Sequence, residues 1–167
     1  ALKSLNGPLA PLSLALGELT EWHCSPTCPQ VGFQTHQKQL SDLRATIESS
    51  SPQFLKLGLA GTFPSRIAWR TEWQRVQASI QGDHSWVAVA YADHSAAAAP
   101  PVADVLHAAI ETSAAVLLID TYTKDGTSLC DHLTFSELTN LRHETSQHGI
   151  QLALAGRISV SDLPQLI

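Results

Sequence analysis

Three of the four lysines in the chain lie in or just after segments that should be buried strands. Lys56 interrupts the apolar run "FLKLGLAG", Lys124 follows the run "AVLLID" by four residues, and Lys3 stands where an opening strand ends. Burial disfavours the charged form of a lysine, so its pKa falls and the neutral amine becomes available as a nucleophile near neutral pH. These three residues therefore favour chemistry that uses a lysine amine.

The run around Lys56 has two unlike faces, because side chains alternate along a strand. One face carries the leucines Leu55, Leu57 and Leu59, and the other carries Phe54, Lys56 and Gly58. The leucine face should meet the helices. We therefore expect Lys56 to point toward the interior of a barrel, with Gly58 leaving space above it.

The same alternation presents Asp120 inward at the end of "AVLLID", beside the loop that carries Lys124. A carboxylate there can orient or partly neutralise neighbouring ammonium groups. Tyr91 and Asp93, at the end of "VAVAYAD", should lie at the same edge and contact substrate.

Simpler interpretations of the same residues stay open. Lys56 could extend to solvent from an edge strand, and Lys124-Asp125-Gly126 could form an ordinary turn. Tyr91 and Asp93 could simply cap a loop.

The elements that must position these residues alternate between strands and helices. Apolar spacing predicts one helix from Trp69 to Ile80 and another from Val102 to Ile110. A capping box from Thr134 to Glu137 begins a third helix, which Gly149 ends, and a short helix should begin near Ser159 or Ser161. Apolar strands that alternate with helices indicate a parallel sheet.

The number of strands leaves the architecture open between an open α/β sheet and an incomplete barrel. A barrel of eight βα units needs about 250 residues, and this chain supplies about six strands. The segment "PLSLALGEL" reads as a strand that follows Lys3 too closely for a parallel crossover. A first helix should therefore be missing between about Asn6 and Pro11, and two strands should lie beyond Ile167. Residues from Trp22 to Gln39 read as an irregular loop.

Composition narrows the class of protein. The chain is 44% hydrophobic and 15% charged, with a net charge of -5, which fits a globular protein and not a nucleic-acid-binding one. No apolar run approaches the roughly 20 residues of a membrane span, and three cysteines make no disulfide framework. We expect a cytoplasmic protein with no nucleic-acid or membrane partner.

A zinc site is a weaker candidate. His23, Cys24, Cys28 and His36 are suitable ligands, but their spacing matches no common finger, so an ordinary loop is the better interpretation. We expect no metal and no cofactor. The histidines His132, His143 and His148 read as solvated surface, and Cys130 reads as a small buried hydrophobe.

Several longer segments resemble one family, the (5-formylfuran-3-yl)methyl phosphate synthases. The segments are "LKSLNGPLA", "FLKLGLAG", "VAVAYAD", "LIDTYTKDGTSLCDHL" and "HGIQLALAGRISVSDLPQL". The resemblance covers most of the chain and is weakest from Trp22 to Ser51 and around Trp69. It implies a TIM barrel that condenses two molecules of glyceraldehyde 3-phosphate into a phosphorylated furan aldehyde, an early precursor of methanofuran. We therefore expect a homo-oligomer whose partner is a phosphorylated small molecule.

The resemblance also implies roles for individual residues. Lys3 would be the Schiff-base lysine, with Lys56, Asp120 and Lys124 as its catalytic companions. Ala1 stands where the family has an aspartate. A second departure follows the "ALAG" strand, where the family carries a small hydroxyl residue and this chain has Arg157 after Gly156. That arginine could bind substrate phosphate, or it could block a backbone phosphate site at Gly156.

Taken together, residues 1–167 should form one TIM-barrel domain of a carbon–oxygen lyase that acts on phosphates, incomplete at the places named above. One alternative is another Schiff-base aldolase of sugar phosphates on the same barrel. The other is a catalytically degenerate paralogue that acts as an assembly partner, which Ala1 would favour.

Overall fold

Five parallel strands form a single sheet. The computed structural model describes residues 11–22, 29–64 and 68–166, and for residues 29–37, 39 and 165 it describes the backbone alone. The strands are β1 (Ser13–Glu18), β2 (Phe54–Gly58), β3 (Ser85–Tyr91), β4 (Val116–Asp120) and β5 (Gln151–Leu154). They lie in the order in which they occur in the chain, β1-β2-β3-β4-β5.

The TIM barrel expected from the sequence is wrong. The described residues supply five strands where about six were expected, and β1 and β5 are the two edges of an open sheet. A barrel closes only when its first and last strands pair with each other. The repeating strand and helix pattern is common to both architectures, so it predicted the parallel sheet correctly but not its closure.

Helices connect successive strands. They are α1 (Pro29–Ser50), α2 (Trp69–Ser79), α3 (Val102–Glu111), α4 (Leu129–His132), α5 (Phe135–Gln147) and α6 (Leu163–Leu166), and a 3-10 helix spans Leu19–Glu21. Among the described residues, none of these helices combines the length and apolar character needed to cross a membrane.

The helix α1 corrects the expected loop from Trp22 to Gln39. Pro29 occupies the first position of the helix, where a missing N–H costs nothing. The proline and the polar residues after it had suggested irregular structure, although proline at this position is compatible with a helix. The part of the loop prediction at residues 23–28 lies outside the described residues.

The start of α5 confirms the capping box. The Thr134 side chain accepts a hydrogen bond from the Glu137 backbone N–H (3.3 Å), and the Glu137 carboxylate accepts one from the Thr134 N–H (2.8 Å). Gly149 follows the helix with φ of 69°, in the left-handed region that glycine adopts most easily.

The main core lies between the sheet and its helices. Four strand residues, Leu55, Leu57, Leu117 and Ile119, and Leu59 directly after β2 are at most 1% exposed. Trp73 and Val76 of α2 and Val105 and Leu106 of α3 belong to the same cluster. The leucine face of β2 therefore meets the helices as expected, and the opposite face of the sheet is left to form the site.

Candidate active site

A cavity of about 220 Å³ opens on the face of the sheet opposite the main core. It lies toward the carboxyl ends of four adjacent strands. Its lining residues are Ala15, Gly17, Glu18, Lys56, Gly58, Val89, Tyr91, Leu118 and Asp120. Polar groups from β1, β2, β3 and β4 thus meet in one concave place, which is where parallel α/β sheets bind their ligands.

Lys56 lies in the interior of the sheet and not at an edge. Its strand is flanked by β1 and β3, and it is in register with Ala15 on one side and Val87 on the other. The side chain is half-buried and lines the cavity together with Gly58. Lys56 therefore lies on the face opposite the leucines, as expected, but that face is one side of an open sheet and not the interior of a barrel. The edge-strand alternative is wrong.

Asp120 and Lys124 come together at the rim of the cavity. The Asp120 Oδ1 accepts a hydrogen bond from the Thr121 N–H (2.8 Å) and lies 4.0 Å from the Lys124 Nζ. The Lys124 side chain is 75% exposed, and its Nζ donates to the Thr121 carbonyl (2.7 Å). An ion pair as exposed as that of Lys124 with Asp120 adds little stability. Lys124 can therefore leave this position and contact a ligand at low cost.

The loop after β4 also contains the turn that was considered as an alternative. The Asp125 carboxylate accepts hydrogen bonds from the Thr127 N–H (3.0 Å) and hydroxyl (2.7 Å), and these bonds lower the pKa of Asp125. Gly126 has φ of 103°. A turn at these residues and a position of Lys124 beside Asp120 are thus compatible.

Asp93 holds this loop against β3. Its Oδ1 accepts the Tyr122 N–H (2.8 Å), and its Oδ2 accepts the Thr123 N–H (2.8 Å) and the Thr123 hydroxyl. Burial alone would raise the pKa of Asp93, but the hydrogen bonds from Thr123 and Tyr122 outweigh it and lower the pKa. The residue is 7% exposed, and its carboxylate acts on the site by fixing the loop that begins after Asp120.

Tyr91 brings a hydroxyl group into the cavity. The residue is 8% exposed, and its hydroxyl donates to the Glu18 Oε1 (2.7 Å). Burial raises the pKa of the phenol far above its ordinary value, and the hydrogen bond and negative charge of Glu18 raise it further. Tyr91 therefore stays neutral, and its ring meets the Tyr122 ring edge-on at 5.4 Å.

Sequence reasoning missed Glu18. In a regular strand it would point with Leu14 and Leu16 toward the helices. The register of β1 against β2 shifts between Ala15 and Glu18, which turns the carboxylate toward the cavity. Gly17 was the available signal, because glycine inside a strand often marks a bulge.

Gly156 and Arg157 follow β5 and are not among the residues that line the cavity; they contact the loop after β4. A Cβ on Gly156 would come within 2.9 Å of the Thr121 backbone nitrogen, so the position requires glycine. Arg157 is exposed, and its Nη1 donates to the Gly126 carbonyl (2.6 Å). A second cation thus stands on the same side of the site as Lys124.

The remaining candidates divide between described and undescribed residues. Lys3, Ala1, His23, Cys24 and Cys28 lie outside the described residues, as does the side chain of His36. Within the described part of the chain, no group of three or more histidine, cysteine or acidic side chains could hold a metal ion.

Of the remaining surface candidates, His143 and His148 are exposed as expected. His132 is half-buried, and its Nε2 lies 3.0 Å from the Thr127 hydroxyl. Cys130 is half-buried, less than expected.

Comparison with known proteins shows what the chain is similar to. A (5-formylfuran-3-yl)methyl phosphate synthase of Methanococcus maripaludis is 29% identical over 129 residues, which are 76% of this chain and 54% of the relative. The synthase of Archaeoglobus fulgidus is 27% identical over 144 residues, 85% of this chain and 60% of the relative. That of Methanopyrus kandleri is 32% identical over 114 residues, 66% of this chain and 48% of the relative.

The chain thus spans roughly half of the length of these relatives. A model of the 4-HFC-P synthase family matches residues 3–167, which is almost the whole sequence. The match includes the strands that carry Lys56 and Asp120 and the loop that carries Lys124. The chain belongs to the 4-HFC-P synthase family.

Proposed function

We propose that this chain carries the catalytic residues of a (5-formylfuran-3-yl)methyl phosphate synthase that serves methanofuran biosynthesis. One observation carries the proposal: in a chain that the family model matches over residues 3–167, Lys56 and Asp120 line one cavity and Lys124 stands at its rim. Amine and carboxylate groups placed together can move protons during carbon–carbon bond formation and dehydration.

The proposed substrates are two molecules of glyceraldehyde 3-phosphate. Their condensation to (5-formylfuran-3-yl)methyl phosphate releases one phosphate and two water molecules, so it needs no oxidant or reductant. The amine of Lys3 attacks the carbonyl carbon of one substrate and water leaves, which gives a Schiff base. The iminium withdraws electrons from the adjacent carbon, and loss of a proton there gives an enamine that attacks the second aldehyde. Release of the product by water regenerates the lysine.

The described residues fit supporting roles in these steps. Asp120 and Lys124, 4.0 Å apart, would exchange protons with substrate hydroxyl and carbonyl groups. Lys56 would hold negative charge or act as a second base. The exposed cations Lys124 and Arg157 lie on the β4 and β5 side of the site and would attract substrate phosphate.

Borohydride trapping tests the covalent step. The protein is incubated with glyceraldehyde 3-phosphate and borohydride, and the adduct is located by peptide mapping. We expect the adduct on Lys3 and its loss in Lys3→Ala. Lys38, an exposed lysine of α1, provides the matched control, and Lys38→Ala should be labelled normally. No adduct on Lys3 in the unaltered protein would contradict the Schiff-base mechanism.

Product analysis separates the proposal from its alternatives. A furan aldehyde absorbs in the near ultraviolet, whereas a sugar phosphate does not. A sugar phosphate as the product would favour an ordinary aldolase. Failure to trap substrate or form either product would favour a role as an assembly partner.

A further inference from the structure

The strand β1 ends in a bulge that changes the direction of one side chain. Ala15 is in register with Lys56 and Glu18 with Gly58, so three steps along β1 match two steps along β2. The extra residue accompanies Gly17, whose φ of 81° lies in the left-handed region. Bulges of this kind reorient side chains and are frequent beside active sites. Here the bulge moves Glu18 to the face that carries Lys56.

The space that Glu18 occupies exists because residue 58 is glycine. A Cβ on Gly58 would overlap the Glu18 carboxylate, whose three atoms are its nearest neighbours. The carboxylate is instead fixed at both oxygens, since Oε2 accepts the Ala60 N–H (2.7 Å) and Oε1 accepts the Tyr91 hydroxyl (2.7 Å). A charge on a half-buried side chain is thus held by two strong hydrogen bonds in one orientation.

This arrangement determines what Tyr91 can offer a ligand. A tyrosine hydroxyl has one proton to donate and lone pairs to accept with. The proton of Tyr91 is directed at Glu18, so the groups left for the cavity are the lone pairs on its oxygen. Free rotation of the hydroxyl would otherwise let it present a donor or an acceptor with equal ease.

We propose that Glu18 is a positioning residue of the site, which orients the Tyr91 hydroxyl as a fixed acceptor for a substrate hydroxyl or an ammonium group in the cavity. The role of Tyr91 toward the substrate rests on the function proposed above, whereas the orientation of its hydroxyl by Glu18 does not. The chemistry suits a substrate or condensed intermediate that carries a free hydroxyl group, because one fixed acceptor holds that hydroxyl against β3. The site then has two sides. Glu18 and Tyr91 lie at the ends of β1 and β3, and the cations that would attract phosphate follow β4 and β5.

The orientation can be measured without turnover, because the chain contains two tyrosines. In Tyr122→Phe, Tyr91 is the one tyrosine that remains. The intensity ratio of the tyrosine doublet in the Raman spectrum is low when the hydroxyl donates a strong hydrogen bond and high when it accepts one. We expect a low ratio in Tyr122→Phe and a clear rise when Glu18→Gln is added. A ratio that Glu18→Gln leaves unchanged would overturn the proposal.

A second variant displaces the carboxylate without removing it. Gly58→Ala adds one methyl group where the end of the Glu18 side chain lies, and the backbone at Gly58 has no positive φ to strain. It should raise the Raman ratio as Glu18→Gln does. Glu144→Gln, an exposed glutamate of α5, is the matched control and should leave the ratio unchanged.

Kinetics then test the reacting role. Tyr91→Phe and Glu18→Gln should each lower kcat by about tenfold or more, and the double variant should be no slower than the slower single one, because both changes remove the same oriented group. Effects that multiply would contradict action through Tyr91. If no variant and no unaltered protein forms the furan, the proposed function fails while the Raman result still decides the orientation.

Discussion

The two faces of one sheet differ in nearly every respect. On the helix side, Leu57 and Leu117 are completely buried among side chains of α2, α3 and the neighbouring strands. On the cavity side, Lys56 and Asp120 are half-buried and stand beside a glycine, a neutral tyrosine and a second carboxylate. Adjacent residues such as Lys56 and Leu57 therefore belong to different environments, although they share the same backbone.

The comparison separates stability from chemistry within a single strand. Apolar area removed from water stabilises the helix side, whereas the cavity side keeps polar groups that stabilise the fold poorly. The cavity side also has an apolar part, where Val87, Val89 and Val116 belong to a second, smaller cluster. The polar residues Glu18, Tyr91 and Asp120 lie at the carboxyl ends of their strands.

The largest effect on stability is expected from the helix side of β2. Leu57→Ala should lower the free energy of unfolding by about 3 kcal/mol, because it removes buried methyl groups and leaves a cavity. Urea denaturation measures the loss. A loss below about 1 kcal/mol would mean that the two faces do not differ as the burial indicates.

The neighbouring residue should show the opposite pattern. Lys56→Met keeps the length and the apolar stem of the side chain, so the free energy of unfolding should change by less than about 1 kcal/mol. Turnover in the proposed synthase reaction should fall by about 100-fold or more, since a charge or a base is lost from the cavity. Lys38→Met on α1 is the control and should change neither quantity. Unchanged turnover in Lys56→Met would make Lys56 a tolerated lysine and nothing more.

The sequence was sufficient for the parts of the fold that local rules determine. Alternation assigned Leu57 and Lys56 to opposite faces, and it placed Asp120 inward at the end of β4, as the structure has them. The capping box fixed the start of α5. These features depend on residues a few positions apart, so one sequence contains the whole signal.

The errors arose where distant residues decide the outcome. Whether β1 pairs with a last strand is a contact between the two ends of the sheet, and no spacing along the chain reports it. The helix α1 was missed because Pro29 and the polar residues after it suggested a loop, and the apolar residues that pack against the core, Leu40, Leu43 and Ile47, all follow that segment. Glu18 was missed because one extra residue in β1 reverses the alternation that had worked for β2 and β4.

A smaller loss of stability than that of Leu57→Ala is expected at Asp93, which lies two residues after the end of β3. Asp93→Asn keeps the shape of the side chain but places an amide opposite N–H donors. The free energy of unfolding should therefore fall by about 2 kcal/mol near neutral pH. The pKa of Asp93 lies below its ordinary value of 3.8 in the folded protein. Its stabilising effect is therefore complete above that value and is lost as the pH falls through the lower, folded-state pKa.

Urea denaturation of the two proteins at several pH values measures this dependence. The difference between them should be constant from about pH 7 to about pH 5 and should shrink below about pH 4. A difference that stays constant through the acid range would show that the Asp93 carboxylate does not hold the loop. The Tyr122 and Thr123 N–H groups donate to Asp93, so the variant should also loosen the loop that carries Lys124. If Lys124 binds the substrate as proposed, KM should rise by a larger factor than kcat falls. A change in kcat with unaltered KM would instead place Asp93 among the groups that contact the substrate.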